Sequence, residues 1–207
     1  MDHDARAALF DSTAEHYDED TFHARVAEEL VAPLPPEPDL VLDVATGTGF
    51  AAYAALRLKP SRVLAVDLSP AMVAQATAKA AELDPSGLIT WQVGPAVPMP
   101  VEDHSADVVL CASSLHFLGA VAFADWLRVL RPGGRLAFSV VSGTRFKPSR
   151  PFEAFVPKDI TFPTDEAEAA ALAKGFVDVS AQTFTAGSRT VFVVHATAPV
   201  NGAAKRP

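Results

Sequence analysis

The stretch Val41–Ala52, VLDVATGTGFAA, reads as a strand ending at Asp43-Val44, a turn of small residues, and a helix opening near Gly49. Glycines in such a turn admit positive φ and let a ligand approach the backbone. The first strand-to-helix turn of an open α/β sheet is where a nucleotide docks. Ala45 fits the turn without strain if its φ is negative. Eighteen residues beyond Gly49, Asp67 closes the apolar run of residues 62–66. A carboxylate there suits two ribose hydroxyls, each charge-assisted hydrogen bond contributing ~1.5–3 kcal/mol. Asp67 can instead cap the next helix, although Ser69, followed by Pro70, is better placed for that. His116 follows the apolar run of residues 106–112. A neutral imidazole there matches general-base chemistry at physiological pH; a packed histidine at a helix start is the alternative.

These residues need elements to hold them. Apolar runs at 40–44, 62–66, 88–93, 106–112 and 135–141 read as buried strands. Ala/Leu-rich stretches near 50–58, 70–83 and 120–130 read as helices, with Gly133-Gly134 ending the third. Such alternation implies right-handed crossovers and a parallel sheet covered on both faces. After a short helix near 164–174, two strand-like runs, 176–184 and 189–197, are separated by only four residues. A linker that short excludes a crossover helix, so the two runs form an antiparallel hairpin. Proline clusters at 33–38, 95–100 and 148–163 mark non-helical connections.

At the N-terminus, Phe10, Ala14 and Tyr17 recur at helical spacing and predict one amphipathic face. Residues 143–163 hold Arg145, Lys147, Arg150 and Lys158 against Glu153 and Asp159, with Phe146, Phe152, Phe155 and Phe162 interleaved. Basic and aromatic residues together suit a planar or anionic organic ligand. The chain has 207 residues, enough for one domain with a real core, and 49% hydrophobic against 20% charged residues argues for a folded protein. A net charge of -8 argues against a general nucleic-acid binder. The acidic start lacks a signal peptide's basic and apolar regions, and no apolar run reaches a membrane span, so the expected address is cytoplasmic. Cys111, alone of its type, reads as a buried thiol, and no metal site is expected.

Taken together, Asp43–Gly49, Asp67–Met72, Gly94-Pro95-Ala96, Asp107–His116 and Leu130–Leu136 resemble the class I S-adenosylmethionine-dependent methyltransferases. The resemblance covers nearly the whole chain and is closest to the small-molecule branch that includes the quinone-biosynthesis enzymes. It implies a Rossmann-like seven-stranded α/β sheet, mostly parallel, ending in an antiparallel hairpin, with helices on both faces. It implies one methyltransferase domain over residues 1–198, residues 1–32 a helical lid, residues 143–163 an acceptor-side segment, and 199–207 a flexible tail. S-adenosylmethionine would be held by Tyr17, Asp43, Ala45, Thr46, Gly47, Gly49, Asp67, Leu68, Met72, Gly94, Pro95, Ala96 and Ser113, with His116 as the base. Pro95 stands where the family often has an Asp that accepts from the adenine amino group. The implied activity is methyl transfer to O, N or C of a small acceptor, a tailoring step in natural-product biosynthesis. One rival keeps the fold and cofactor without methyl transfer, as a cyclisation catalyst or binding module. Another is a nicotinamide-dependent oxidoreductase, which would want Gly-x-Gly-x-x-Gly where this chain has Gly47, Gly49 and then Phe50-Ala51-Ala52.

Overall fold

The structure, a computed structural model, describes residues 3–144, 146–148 and 150–200. Arg145 and the tail from residue 201 lie outside the described residues. Seven strands form one sheet: β1 (Leu40–Val44), β2 (Arg62–Asp67), β3 (Ile89–Val93), β4 (Ala106–Cys111), β5 (Leu130–Val141), β6 (Val177–Ala186) and β7 (Arg189–Thr197). Their order is β3-β2-β1-β4-β5-β7-β6. The first five are parallel, and β7 inserts between β5 and β6, antiparallel to both. The fold is the Rossmann-like α/β sheet with the C-terminal antiparallel hairpin that the sequence implied. Strand order reverses between β1 and β4, which opens a crevice at their carboxyl ends.

The helices among the described residues are α1 (His3–Asp11), α2 (Thr21–Val31), α3 (Phe50–Ala55), α4 (Pro70–Ala78), α5 (Ala80–Leu83), α6 (Leu115–Leu118), α7 (Val121–Val129), α8 (Arg150–Glu153) and α9 (Glu166–Ala171). Successive strand side chains point to opposite faces, so each central strand feeds two cores. Leu40, Leu42 and Val44 join Val109, Phe138 and the α7 side chains Phe123 and Trp126 on one face. Val41, Val63, Ala65 and Val108 meet Val26 and Leu30 of α2 and Ala52 of α3 on the other. No helix among the described residues is long and apolar enough to cross a membrane.

Four local expectations are corrected. β3 is not a buried strand: it pairs only with β2 at the sheet edge, and Val93 is 48% exposed. Gly133-Gly134 does not end a helix. α7 stops at Val129, and β5 begins at Leu130, where the Gly133 N–H donates to Ala198 O and Gly134 O accepts from Ala198 N–H. Phe10, Ala14 and Tyr17 do not share one continuous helix. The Ser12 and Thr13 hydroxyls donate to Leu9 O (2.7 Å) and Phe10 O (2.9 Å), competing with the helical ladder, and α1 gives way to a 3-10 turn at Ala14–Glu19. Ala45, finally, has φ +55, in the left-handed region.

Trp126 is fully buried between Phe123 and Phe138, ring centroids 5.1 and 6.0 Å away. Trp126→Ala should cost ~3–5 kcal/mol in urea unfolding. Trp126→Phe should cost less, since it keeps much of the contact and removes an Nε1 that has no partner among the described residues. Equal losses would show that ring packing does not govern this core.

Candidate functional site

The crevice between β1 and β4 deepens into a cavity of about 240 Å³. Its floor is built by the turn after β1. Asp43, 1% exposed, accepts at one oxygen from the Thr46 hydroxyl (2.5 Å) and the Ala52 amide (2.8 Å), so one carboxylate binds strand, turn and α3 together. Burial pushes its pKa up to about 7, against the opposing effect of those two hydrogen bonds. A left-handed alanine costs ~1–2 kcal/mol. The neighbouring bonds compensate at Ala45: its carbonyl accepts from Ser114 Oγ (3.2 Å), and the Thr46 amide donates to Val66 O (3.0 Å).

The two glycines of the turn serve different needs. Gly47 (φ +56) has nothing within 4 Å of where a Cβ would lie, and its side of the turn faces the cavity. Gly49 (φ +90) packs against the sheet, where a Cβ would lie 2.6 Å from the Trp91 ring. Gly47 lines the cavity and Gly49 does not.

Asp67 forms the wall opposite the turn. Its two oxygens accept from the amides of Gly47 (2.7 Å) and Ser69 (2.9 Å), and desolvation raises its pKa against those bonds. A carboxylate has about four acceptor positions, so these backbone amides leave Asp67 some acceptor capacity toward the cavity it lines. Leu68, Met72, Pro95 and Ala96 add an apolar surface beside it. The Gly94 amide donates to Asp67 O (2.8 Å), tying the loop after β3 to β2 without lining the cavity.

Across the cavity lies the N-terminal segment. Tyr17 is half-buried, and desolvation raises its phenol with nearby Asp67 adding to the shift. Two carboxylates fasten this segment down. Asp11 accepts from Ser69 Oγ (2.5 Å) and the Ala71 amide (3.0 Å) at the start of α4, where the helix dipole favours a negative charge. Asp18 accepts from Thr48 Oγ1 (2.5 Å) and pairs with Lys79 (2.6 Å). Phe10 and Phe117 meet edge-to-face at 5.3 Å and both line the cavity.

Of the residues expected to bind cofactor, Tyr17, Ala45, Thr46, Gly47, Asp67, Leu68, Met72, Pro95 and Ala96 line this one cavity. Asp43, Gly49 and Gly94 stand behind it and shape it. Ser113 (φ +58) also stands behind, its amide donating to Ser139 Oγ (2.8 Å), while its neighbour Ser114 reaches the cavity. His116 is 7% exposed, enclosed by Phe117 at 4.0 Å and Phe146 at 5.0 Å, and outside the lining. Burial pushes it down to about 4. In the 143–163 segment, Phe152 packs behind Phe10 and Phe117, and Phe155 lies under Arg6, rather than in the cavity. Asp11 and Asp18 carry no sequence signal, because their partners lie 58 and 30 residues away. His23 also lines the cavity. Its spacing from Asp20, three residues earlier, was the visible signal for it.

Two measurements separate shape from binding. Gly49→Ala combines left-handed strain with a clash and should cost more than ~2 kcal/mol in urea unfolding. Gly47→Ala carries the strain alone, ~1–2 kcal/mol, and should instead fill the space a ligand uses. Similar losses for both would contradict this division. Asp43 binds its proton more tightly folded than unfolded. Its contribution is therefore complete below pH ~4 and declines as pH rises through about 7. Asp43→Asn should flatten the fall in stability between pH 5 and 8, read from urea midpoints; an unchanged slope would show that Asp43 does not titrate there.

A methyltransferase domain model matches residues 42–138, the span from β1 to β5 that builds the cavity floor. The chain is 38% identical over 114 residues to a ubiquinone/menaquinone biosynthesis C-methyltransferase of Geobacter sulfurreducens, covering 52% of this chain and 44% of that one. It is 31% identical over 159 residues to a demethylmenaquinone methyltransferase of Symbiobacterium thermophilum, covering 72% and 61%. The chain thus spans about half the length of the relatives it matches. Among solved structures, the 1,6-didemethyltoxoflavin-N1-methyltransferase of Burkholderia thailandensis, which holds S-adenosylhomocysteine, shares the fold with a TM-score of 0.69 at 22% identity, over 95% of this chain and 90% of that one. With the glycine turn, the buried carboxylate and the switch-point cavity in place, residues 42–138 match a methyltransferase domain, and the chain is similar to these methyltransferases over part of their length.

Proposed function

We propose that this chain transfers a methyl group from S-adenosylmethionine to a small, planar organic acceptor, as a tailoring step in the biosynthesis of a natural product. The observation that carries the reading is that the Asp67 carboxylate and the open ground beyond Gly47 line one cavity, beside Met72 and Ala96. In this reading Asp67 receives the ribose hydroxyls, Leu68, Met72, Pro95 and Ala96 enclose the adenine, and Ala45–Gly47 border the amino-acid end. The cofactor supplies a methyl already activated on a sulfonium. Tyr17 offers its ring to that cation, a contact worth ~0.5–2 kcal/mol. Phe10 and Phe117 hold the acceptor flat, and placement in line accounts for up to ~7–11 kcal/mol of the barrier. The relatives named above support the small-molecule reading, since their names give demethylmenaquinone and 1,6-didemethyltoxoflavin as acceptors.

S-adenosylhomocysteine at ~100 times its dissociation constant should stabilise the fold by ~2.7 kcal/mol, seen as a raised melting temperature. Asp67→Asn should remove most of the shift, and NADH should produce none. A shift with NADH and none with S-adenosylhomocysteine would sink the proposal.

A further inference from the structure

A phenolic hydroxyl keeps its proton at neutral pH, its pKa lying near 10. Its methylation needs a group that takes that proton inside the cavity. His116 is enclosed by aromatic rings and outside the lining. His23, in the first turn of α2, lines the cavity and keeps 23% of its side chain exposed. Its ring stacks on Tyr17, centroids 5.0 Å apart and planes 19° from parallel.

The two ring nitrogens of His23 have different surroundings. Nε2 lies 3.8 Å from an Asp20 oxygen, whereas Nδ1 is shielded from solvent with no hydrogen-bond partner among the described residues. Asp20 is itself well held. Both of its oxygens pair with the Arg189 guanidinium from β7, and one also accepts from the Phe22 amide (3.0 Å). Those bonds hold Asp20 down at about 2, so it stays charged. A fixed carboxylate beside Nε2 favours the tautomer with its proton there, leaving a bare lone pair on Nδ1. The groups around His23 are Asp20 and Arg189, with Tyr17 on one face and His116 within electrostatic reach. Burial and Arg189 keep the ring neutral, against the pull of Asp20.

We propose that His23 is the proton acceptor for an aromatic hydroxyl bound in this cavity, with Asp20 as the positioning residue behind it. The inference rests on the methyltransferase reading of the same cavity. The O–H proton passes to His23 Nδ1, and the oxygen's electron pair forms the new bond to the methyl carbon. The pair of the broken S–C bond returns to sulfur, and the imidazolium later gives its proton to solvent.

Two probes of different acidity test this: 4-methylphenol, which stays protonated at neutral pH, and 4-nitrophenol, which ionises near neutrality by itself. Formation of S-adenosylhomocysteine reports turnover. His23→Gln keeps an amide donor toward Asp20 but cannot take up a proton. It should lower the rate with 4-methylphenol by ~10²–10⁴ and with 4-nitrophenol by less than about tenfold. Added imidazole should restore part of the rate to His23→Ala, and Asp20→Asn should lower the 4-methylphenol rate while kcat with 4-nitrophenol holds. The wild-type 4-methylphenol rate should rise with pH as the imidazole loses its proton, and His23→Gln should lack that rise. Equal losses with both phenols would mark His23 as structural and overturn the proposal. So would the absence of turnover with either phenol while S-adenosylhomocysteine still raises the melting temperature. Loss of that melting shift in the wild type would instead overturn the methyltransferase reading beneath it.

Discussion

One buried carboxylate sets the geometry on which the cavity depends. Asp43 ends β1, and through Thr46 and Ala52 it bends the chain back into α3 within nine residues. Without those two acceptor bonds the Thr46 hydroxyl and the first-turn amide of α3 would lose their partners, and only the Ser114 and Val66 contacts would hold Ala45 in its left-handed conformation. The turn in turn positions Gly47, whose amide reaches Asp67 on the neighbouring strand. The carboxylate that lines the cavity is thus oriented by a carboxylate that stands behind it. This arrangement burdens Asp43 with deep burial, visible in its raised pKa.

The N-terminal segment closes the cavity by charge as well as by the aromatic contacts of Phe10 and Tyr17. α1 buries none of its residues, so it has no core of its own to rest on. Asp11 and Asp18 hold the segment through short bonds to Ser69, Ala71, Thr48 and Lys79. Two of these partners, Thr48 and Ser69, belong to the loops that carry the expected cofactor contacts. The attachment of the segment and the shape of the cavity are therefore coupled through shared residues, and α1 is drawn from the low-stability end of the molecule.

Much of the sheet and half of the site were readable along the chain, and the limits are physical. β1, β2, β4 and β7 were visible because their burial makes them largely continuous apolar runs. Gly47, Asp67, Met72 and Ala96 were visible because short loops at the carboxyl edge can face only one crevice. What escaped depends on partners far apart in sequence. The edge position of β3 is a property of the whole strand order, not of its own residues. The break after α1 turns on two hydroxyls that any helix prediction tolerates. His116 sits at the expected edge of β4, but Phe146, thirty residues later, decides whether its ring meets the cavity or a packed interior. Ala45 was expected at negative φ because alanine prefers it, and the contacts that override this preference come from the loop after β4 (Ser114) and from β2 (Val66).

The insertion of β7 between β5 and β6 has a consequence for the order of assembly. β5 has no partner on its outer edge until residues 189–197 exist, since β6 pairs only with β7. During synthesis the first five strands can gather while that edge stays bare, a long-range closure of the kind that slows folding and invites mispairing. The same late strand carries Arg189, which anchors Asp20, and His195, whose Nε2 meets the Leu30 carbonyl at 2.8 Å. α2, though made before any strand and packed on α3, gains these two anchors only with the last one. The His23 end of the cavity wall therefore gains its last anchors only with β7, whereas Asp11 and Asp18 can fasten the rest of the segment as soon as α4 exists.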